Sequence, residues 1–377
     1  MKSIALLPRR LAAVLVCLGG LQATASAAEA EPALLPIRSG DLLGLIDARG
    51  RVVLPAEFEE LKIGDPLILV RKARRTAYFD FQGRMVVPPQ DAWSQPFSAG
   101  LVPAVGKDPQ GKSRWGYADP QGRWSLPPAW DDAQPFTDGL AVVGLADAWG
   151  ALKYGAIDRT GRLVVPAVHD KLLRPGGGLV RSESRERTHR VFNAQGRDIT
   201  PEGVDFVGIA ADGMVRIWSG RKQGFMTVAG ELAVPPRYEQ ASDFREGRAR
   251  IWVDGKFGFI DRTGRIAVPA RWDSAEDFSD GLAQVKADGQ ARFIDPQGQV
   301  VLEPKADRVW PFSEGLAVFK TGNRHGFIDK QGRTVIEAQY SYARAFQHGL
   351  AWVTTPGRPG GAYIGRDGQV VWRQDAN

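Results

Sequence analysis

Apolar residues along the chain come in runs of four to six, such as GLAVV at 139–143, YGAID at 154–158 and GRLVVP at 161–166, each closed by Gly, Pro or Asp. Runs this short, rich in Val, Ile and aromatics and bounded by turn residues, predict β-strands rather than helices. Between the second and third kind of run stands D-x-x-G. Asp suits the first position of a type I turn, because its carboxylate accepts backbone N–H groups ahead of it. Gly at the fourth position supplies the positive φ of the bulge that closes such a hairpin. A Pro five residues later cannot donate to a ladder and is expected to end the third strand. Each unit is therefore a three-stranded antiparallel meander. A connection of about 13 residues leads to the next unit, with room for one helical turn, as in SAEDF at 274–278.

The units recur in register. Ten glycines from Gly50 to Gly368 carry the motif, at spacings of 33 to 39 residues, four successive ones being 34. An aromatic stands five residues before most of them (Tyr78, Tyr117, Phe225, Phe259, Phe293, Phe327, Tyr363), and a Phe fourteen after (Phe97, Phe136, Phe244, Phe278, Phe312, Phe346). A small unit cannot bury both faces alone, so these rings are expected to pack between neighbours.

The stretch RWGYADPQGRWSLPPAWDDAQPFTDGLAVV at 114–143 resembles the WG repeat, whose name comes from its Trp-Gly pair. Trp115-Gly116 keeps the whole pair; Tyr154-Gly155, Phe257-Gly258 and His325-Gly326 keep the Gly. The fifth unit, around HRVFNAQGRDITP, is the weakest copy. The resemblance implies a β-structured repeat, common on exported bacterial proteins, and supplies no catalytic residues. The fold expected is all-β, a tandem array of about ten such meanders. Propellers normally close with four to eight blades of four strands. No strand is exchanged between the termini either, since ALLPI at 33–37 opens the first unit and GQVVW at 368–372 closes the last. An open, curved solenoid is therefore expected over its alternative, a closed propeller-like ring.

The first 27 residues have the order of a secretory signal. Lys2, Arg9 and Arg10 precede an apolar run of 11 residues, Leu11–Leu21, and Ala25-Ser26-Ala27 fits a cleavage site. The run is too short to span a bilayer. Residues 28–377 are then one β-repeat domain, periplasmic or secreted, with no transmembrane segment. The single cysteine, Cys17, follows Val16 inside the apolar run, which does not fit a lipoprotein signal. Without the signal, 46 basic residues face 43 acidic ones, a balance that demands no nucleic acid.

No nucleophile motif, phosphate loop or His/Cys metal spacing is present, and no cofactor is expected. The recurrent Asp residues have a turn role already. The four histidines read as substitutes for aromatics, His325 in the slot of Trp115 and Phe257. Two groups remain as candidate ligand contacts. Trp93, Trp130, Trp272 and Trp310 fall in the connections, where exposed rings could stack on a sugar or peptide, unless they wedge between units. Arg71, Arg74, Arg75, Arg185 and Arg187 lie in variable hairpins and could meet a polyanion. The expected function is a non-catalytic, monomeric scaffold for a protein or cell-envelope polymer. The alternatives are an envelope carbohydrate-active hydrolase and a polyanion binder.

Overall fold

The structure, a computed structural model, describes residues 33–90, 95–183 and 189–374. Its repeating unit is clearest in the seventh sheet, which runs through Gln240–Ala241, Arg248–Val253, Lys256–Asp261 and Ile266–Trp272 as an antiparallel meander. The D-x-x-G turn forms as its residues dictate. Asp261 Oδ1 accepts the backbone N–H of Thr263 at 2.9 Å and of Arg265 at 3.1 Å. Gly264 donates its own N–H to the Asp261 carbonyl at 2.9 Å, with φ at +79°. The Pro does something other than end the strand. Phe259 pairs with Val268 but Phe257 pairs with Trp272, so two steps on one strand face four on the other. Pro269 sits inside that bulge, where a missing N–H costs no ladder bond.

The bulge explains the Gly of the aromatic-Gly pair. It presses backbone onto Gly258: an added Cβ would lie 2.6 Å from the Val268 carbonyl oxygen and 2.7 Å from the Ala270 nitrogen. Only a residue without a side chain fits under it. The second difference from the sequence expectation lies in the connections. SAEDF does not form a helical turn; Ser274–Ala275 is a two-residue strand that adds a fourth member to the eighth sheet. Among the described residues there are ten sheets, seven of four strands and three of three, with no helix.

Neighbouring sheets are joined by the aromatic pairs that the repeat register picks out. Tyr78 meets Phe97, Tyr117 meets Phe136, Phe225 meets Phe244, Phe259 meets Phe278, Phe293 meets Phe312 and Phe327 meets Phe346, with centroids 4.7 to 5.1 Å apart. All twelve rings are buried. Edge-to-face pairs of this kind contribute about 0.5–1.5 kcal/mol each beyond their burial.

A second joint lies at the turns entering several of the long strands. Glu246 accepts the backbone N–H groups of Asp280 (2.6 Å) and Gly281 (2.8 Å) in the next sheet. Glu314 does the same for His348 (2.6 Å) and Gly349 (2.9 Å), Asp212 accepts from Gly247 at 2.5 Å, and Asp280 from Gly315. The carboxylate at one turn thus stitches the backbone of the following one.

The array does not stay open. Leu35, Ile37 and Ile46 of the first sheet share a core with Leu350 and Tyr363 of the tenth, flanked by Val371 and Trp372. The Tyr363 hydroxyl donates to the Pro36 carbonyl at 2.9 Å. The ten sheets therefore form a ten-bladed β-propeller, and the expectation of an open solenoid is corrected. Face packing between the end sheets closes the ring, so no exchanged strand is required. The blade count exceeds the usual four to eight.

Two outcomes follow from these local structures. Gly258→Ala is expected to lower the urea-unfolding free energy by more than 3 kcal/mol, a roughly sized cost for a Cβ driven into backbone. Gly281→Ala, where a Cβ meets nothing within 4 Å but φ is +80°, is expected to cost only about 1–2 kcal/mol. The second outcome concerns acid. Hydrogen bonds from the Thr160 hydroxyl, and then from Arg162 and the turn backbone, hold the Asp158 carboxyl at about 2, against partial burial that opposes them. Its contribution is therefore whole above the ordinary value of 3.8 and is lost as pH falls toward about 2. The stability gap between the wild type and Asp158→Asn, measured by urea midpoints, should be open at pH 6 and closed near pH 2.

Candidate functional site

Position twenty after the repeat glycine lies on the long strand that follows the turn, and its side chain reaches into the gap between sheets. Arg181 there donates to the Val207 carbonyl, Arg216 to Ala241 and Arg250 to Ala275, each in the next sheet. Gln284 makes the same reach to Val309 at 3.0 Å. Three of the guanidiniums also lie on rings: Arg181 on Phe206 at 4.4 Å, Arg216 on Trp218 at 4.8 Å and Arg250 on Phe257 at 5.7 Å. These side chains clamp four successive interfaces with charge-assisted or amide hydrogen bonds.

The clamp then stops. Val318, which has no side-chain donor, holds the position in the ninth sheet, and Trp352 holds it in the tenth. Beside Val318 the interface opens into a crevice of about 460 Å³ lined by Trp310, Pro311, Phe312, His325, Tyr342 and Arg344 among others. That size falls within the range of small-molecule sites, about 300–1,000 Å³. Its walls are mainly rings. Trp310 and His325 lie 5.6 Å apart, tilted by 44°, and His325 and Tyr342 6.4 Å apart. Arg308 stacks on Trp310 at 4.7 Å. Tyr342 is exposed, while His325 and Trp310 are half-buried. The His325 Nδ1 is buried away from solvent and has no hydrogen-bond partner in the protein, while Ser279, Ser313 and Arg344 add polar groups to the lining. The arrangement suits holding a planar or apolar group with a few polar contacts. It places no nucleophile beside a base.

The candidate residues singled out from sequence are distributed differently. Trp130 is 8% and Trp272 is 4% exposed, both wedged between sheets, Trp130 edge-on to Tyr117 at 5.7 Å. Neither presents a ring to a ligand. Trp310 alone among the described candidate tryptophans lines a cavity; Trp93 lies outside the described residues. Arg71 pairs with Glu60 at 2.7 Å and Arg75 donates to the Pro89 carbonyl at 2.6 Å. Arg74 is exposed at the hairpin tip, with φ at +65°. Arg185 and Arg187 lie outside the described residues. The described tip therefore offers little free positive charge. His325 takes an aromatic slot, as its register implies. The clamp escaped the sequence reading although its signal was there, as an Arg in phase at 181, 216 and 250.

The WG containing repeat matches residues 115–149, 224–257, 257–290, 292–324 and 326–355. The chain contains five WG repeats. The matches include Arg250, Gln284 and most of the crevice lining, whereas Arg181, Arg216 and His325 lie outside them. No curated protein matches the chain significantly. Solved structures resemble it only remotely. The extracellular domain of a hybrid two-component system from B. thetaiotaomicron is 11% identical with a TM-score of 0.24, over 92% of this chain and 65% of that one. PorZ, a surface component of the type-IX secretion system of Porphyromonas gingivalis, is 12% identical with a TM-score of 0.29, over 85% and 52%. Kluyvelomyces marxianus Hsv2 is 10% identical with a TM-score of 0.31, over 53% and 71%. This WG-repeat chain thus spans less than two thirds of the first of these, and at such scores none carries an argument about it.

Removing a clamp should loosen the ring. Arg250→Ala is expected to cost about 1.5–3 kcal/mol in urea unfolding, the range for a hydrogen bond to a charged group. Val318→Ala at the corresponding unclamped position deletes only apolar contacts, so salt should change its cost far less than that of Arg250→Ala.

Proposed function

We propose that this WG-repeat propeller is an exported, non-catalytic binding scaffold, acting as a monomer, and that the crevice between its ninth and tenth sheets holds a ring-bearing group of a protein or cell-envelope polymer. The observation that supports this most directly is the substitution of Val318 for the clamping Arg or Gln where Trp310, His325 and Tyr342 converge. A polar strut present at four interfaces is absent where aromatic rings line open space. Rings of this kind stack on sugar faces and on aromatic or proline side chains, and Arg344 in the lining supplies a polar contact. The ordered signal features of residues 1–27 support export.

The test uses the chain without residues 1–27 on arrays of envelope glycans and extended peptides. Binding is expected for at least one ring-bearing class, and Trp310→Ala or Tyr342→Ala should weaken it at least tenfold. Binding that Trp310→Ala leaves unchanged would remove the crevice from the proposal. Turnover of the bound glycan or peptide would overturn the non-catalytic reading. Export is checked separately, by whether the expressed chain appears in the periplasm or medium with an N-terminus near residue 28.

A further inference from the structure

The crevice beside Val318 has a neighbour built at the same place one sheet earlier. Between the eighth and ninth sheets lies a second cavity, of about 300 Å³. Its lining corresponds to that of the crevice at the repeat spacing of 34: Gln284 stands for Val318, Ala291 for His325, Arg308 for Tyr342 and Val309 for Ala343. The two spaces share a wall. Arg308 lines the earlier one, Trp310 lines the crevice, and the guanidinium lies on the indole at 4.7 Å.

The earlier cavity follows from two substitutions. In the seventh sheet Phe257 pairs with Trp272, and in the ninth His325 pairs with Tyr340. The eighth sheet has Ala291 and Ala306 at those positions. Its last strand, Val300–Leu302, has three residues where Ile266–Trp272 has seven. Small residues at two ring positions leave space, because the surroundings of a truncated side chain close in only partly. Val285 and Val309 give this space a buried apolar floor. Its rim is exposed and polar, with Ser274, Glu276, Lys286, Asp307 and Arg308, and the Gln284 amide stands beside them. The cation paired with Glu276, Arg250 Nη1, is 3.9 Å away, too far for a hydrogen bond. Two carboxylates and two cations face one space, so their charges balance while donors and acceptors stand side by side.

Taking the crevice as the binding site, we propose that its ligand is a neutral glycan chain, with one sugar ring in the crevice on Trp310 and Tyr342 and a further unit in the cavity beyond Arg308. A sugar has a flat C–H face, which suits an aromatic platform, and an edge of hydroxyls, each of which both donates and accepts. The crevice supplies the platform. The cavity supplies the partners for the hydroxyl edge: carboxylates to accept, and an amide, an ammonium and a guanidinium to donate. A polyanion drawn to Lys286 and Arg308 would be opposed by Glu276 and Asp307 in the same lining. The Arg308–Trp310 stack belongs to both spaces and sets the boundary between the two units.

The test is calorimetric titration of the chain without residues 1–27 with neutral glucose and N-acetylglucosamine oligomers, each as the single sugar and as chains of increasing length. Affinity for at least one series is expected to rise at least tenfold from the single sugar to the short chains, and to change little with salt. The double variant Ala291→Phe with Ala306→Trp places the rings of the seventh sheet in the cavity. It should unfold in urea no earlier than the wild type, and longer chains should bind it no better than the single sugar. Glu276→Ala, on the exposed rim, should also reduce the gain from chain length. A gain that survives the double variant would overturn the two-unit site and leave the crevice standing. Tighter binding of uronic-acid oligomers than of neutral ones would overturn the neutral ligand. If extended peptides bind in a Trp310-dependent way and no glycan binds up to about 1 mM, the glycan proposal fails and the crevice remains a binding site. If neither class binds, both proposals fail.

Discussion

Six of the sheet interfaces depend on one contact made again and again: the ring of a connector Phe packed against an aromatic of the preceding sheet. A meander of three or four short strands has too little apolar surface to persist alone. It becomes stable only when a neighbour covers its face, and the neighbour needs the same service in turn. The six observed pairs meet at nearly the same distance. The carboxylates that bridge to the next turn, such as Glu246 and Glu314, hold successive sheets in one relative orientation while the rings exclude water between them.

Upon that uniform joint, variation is confined to a few side chains. Exchange of Arg250 for Val318 at one register position replaces a polar strut with space, and exchange for Trp352 fills the next gap with a ring. The fold persists through both because the Phe contact does not involve this position. On the proposed reading, binding would fall to the interfaces that depart from the consensus, rather than to the consensus residues themselves.

Much of the unit was legible in the sequence because its determinants are local. Asp261 and Gly264 specify their turn within four residues, and period-two runs specify strands. The buried pairing of Phe259 with Phe278 could be inferred from register alone. The role of Pro269 could not, since a bulge is defined by the strand opposite, and without it the reason for Gly258 was hidden. Two-residue strands such as Ser274–Ala275 have no periodicity to detect. Closure was misjudged for a similar reason: it rests on how Leu35, Ile37 and Tyr363 meet across the whole length of the chain, and blade-count norms and terminal strands say nothing of that. Of the candidate ligand residues, Trp310 reached a cavity, whereas Trp130 and Trp272 serve the core.

The closed seam has a consequence for how such a chain can change over generations. An open array can gain or lose a repeat by unequal duplication and merely grow or shrink. Here Tyr363 meets Pro36 only when the intervening sheets add up to one complete revolution. An extra or missing copy would hold those residues apart, whatever the quality of each copy. A change in the number of copies would therefore act on the seam and not only on the site of the change.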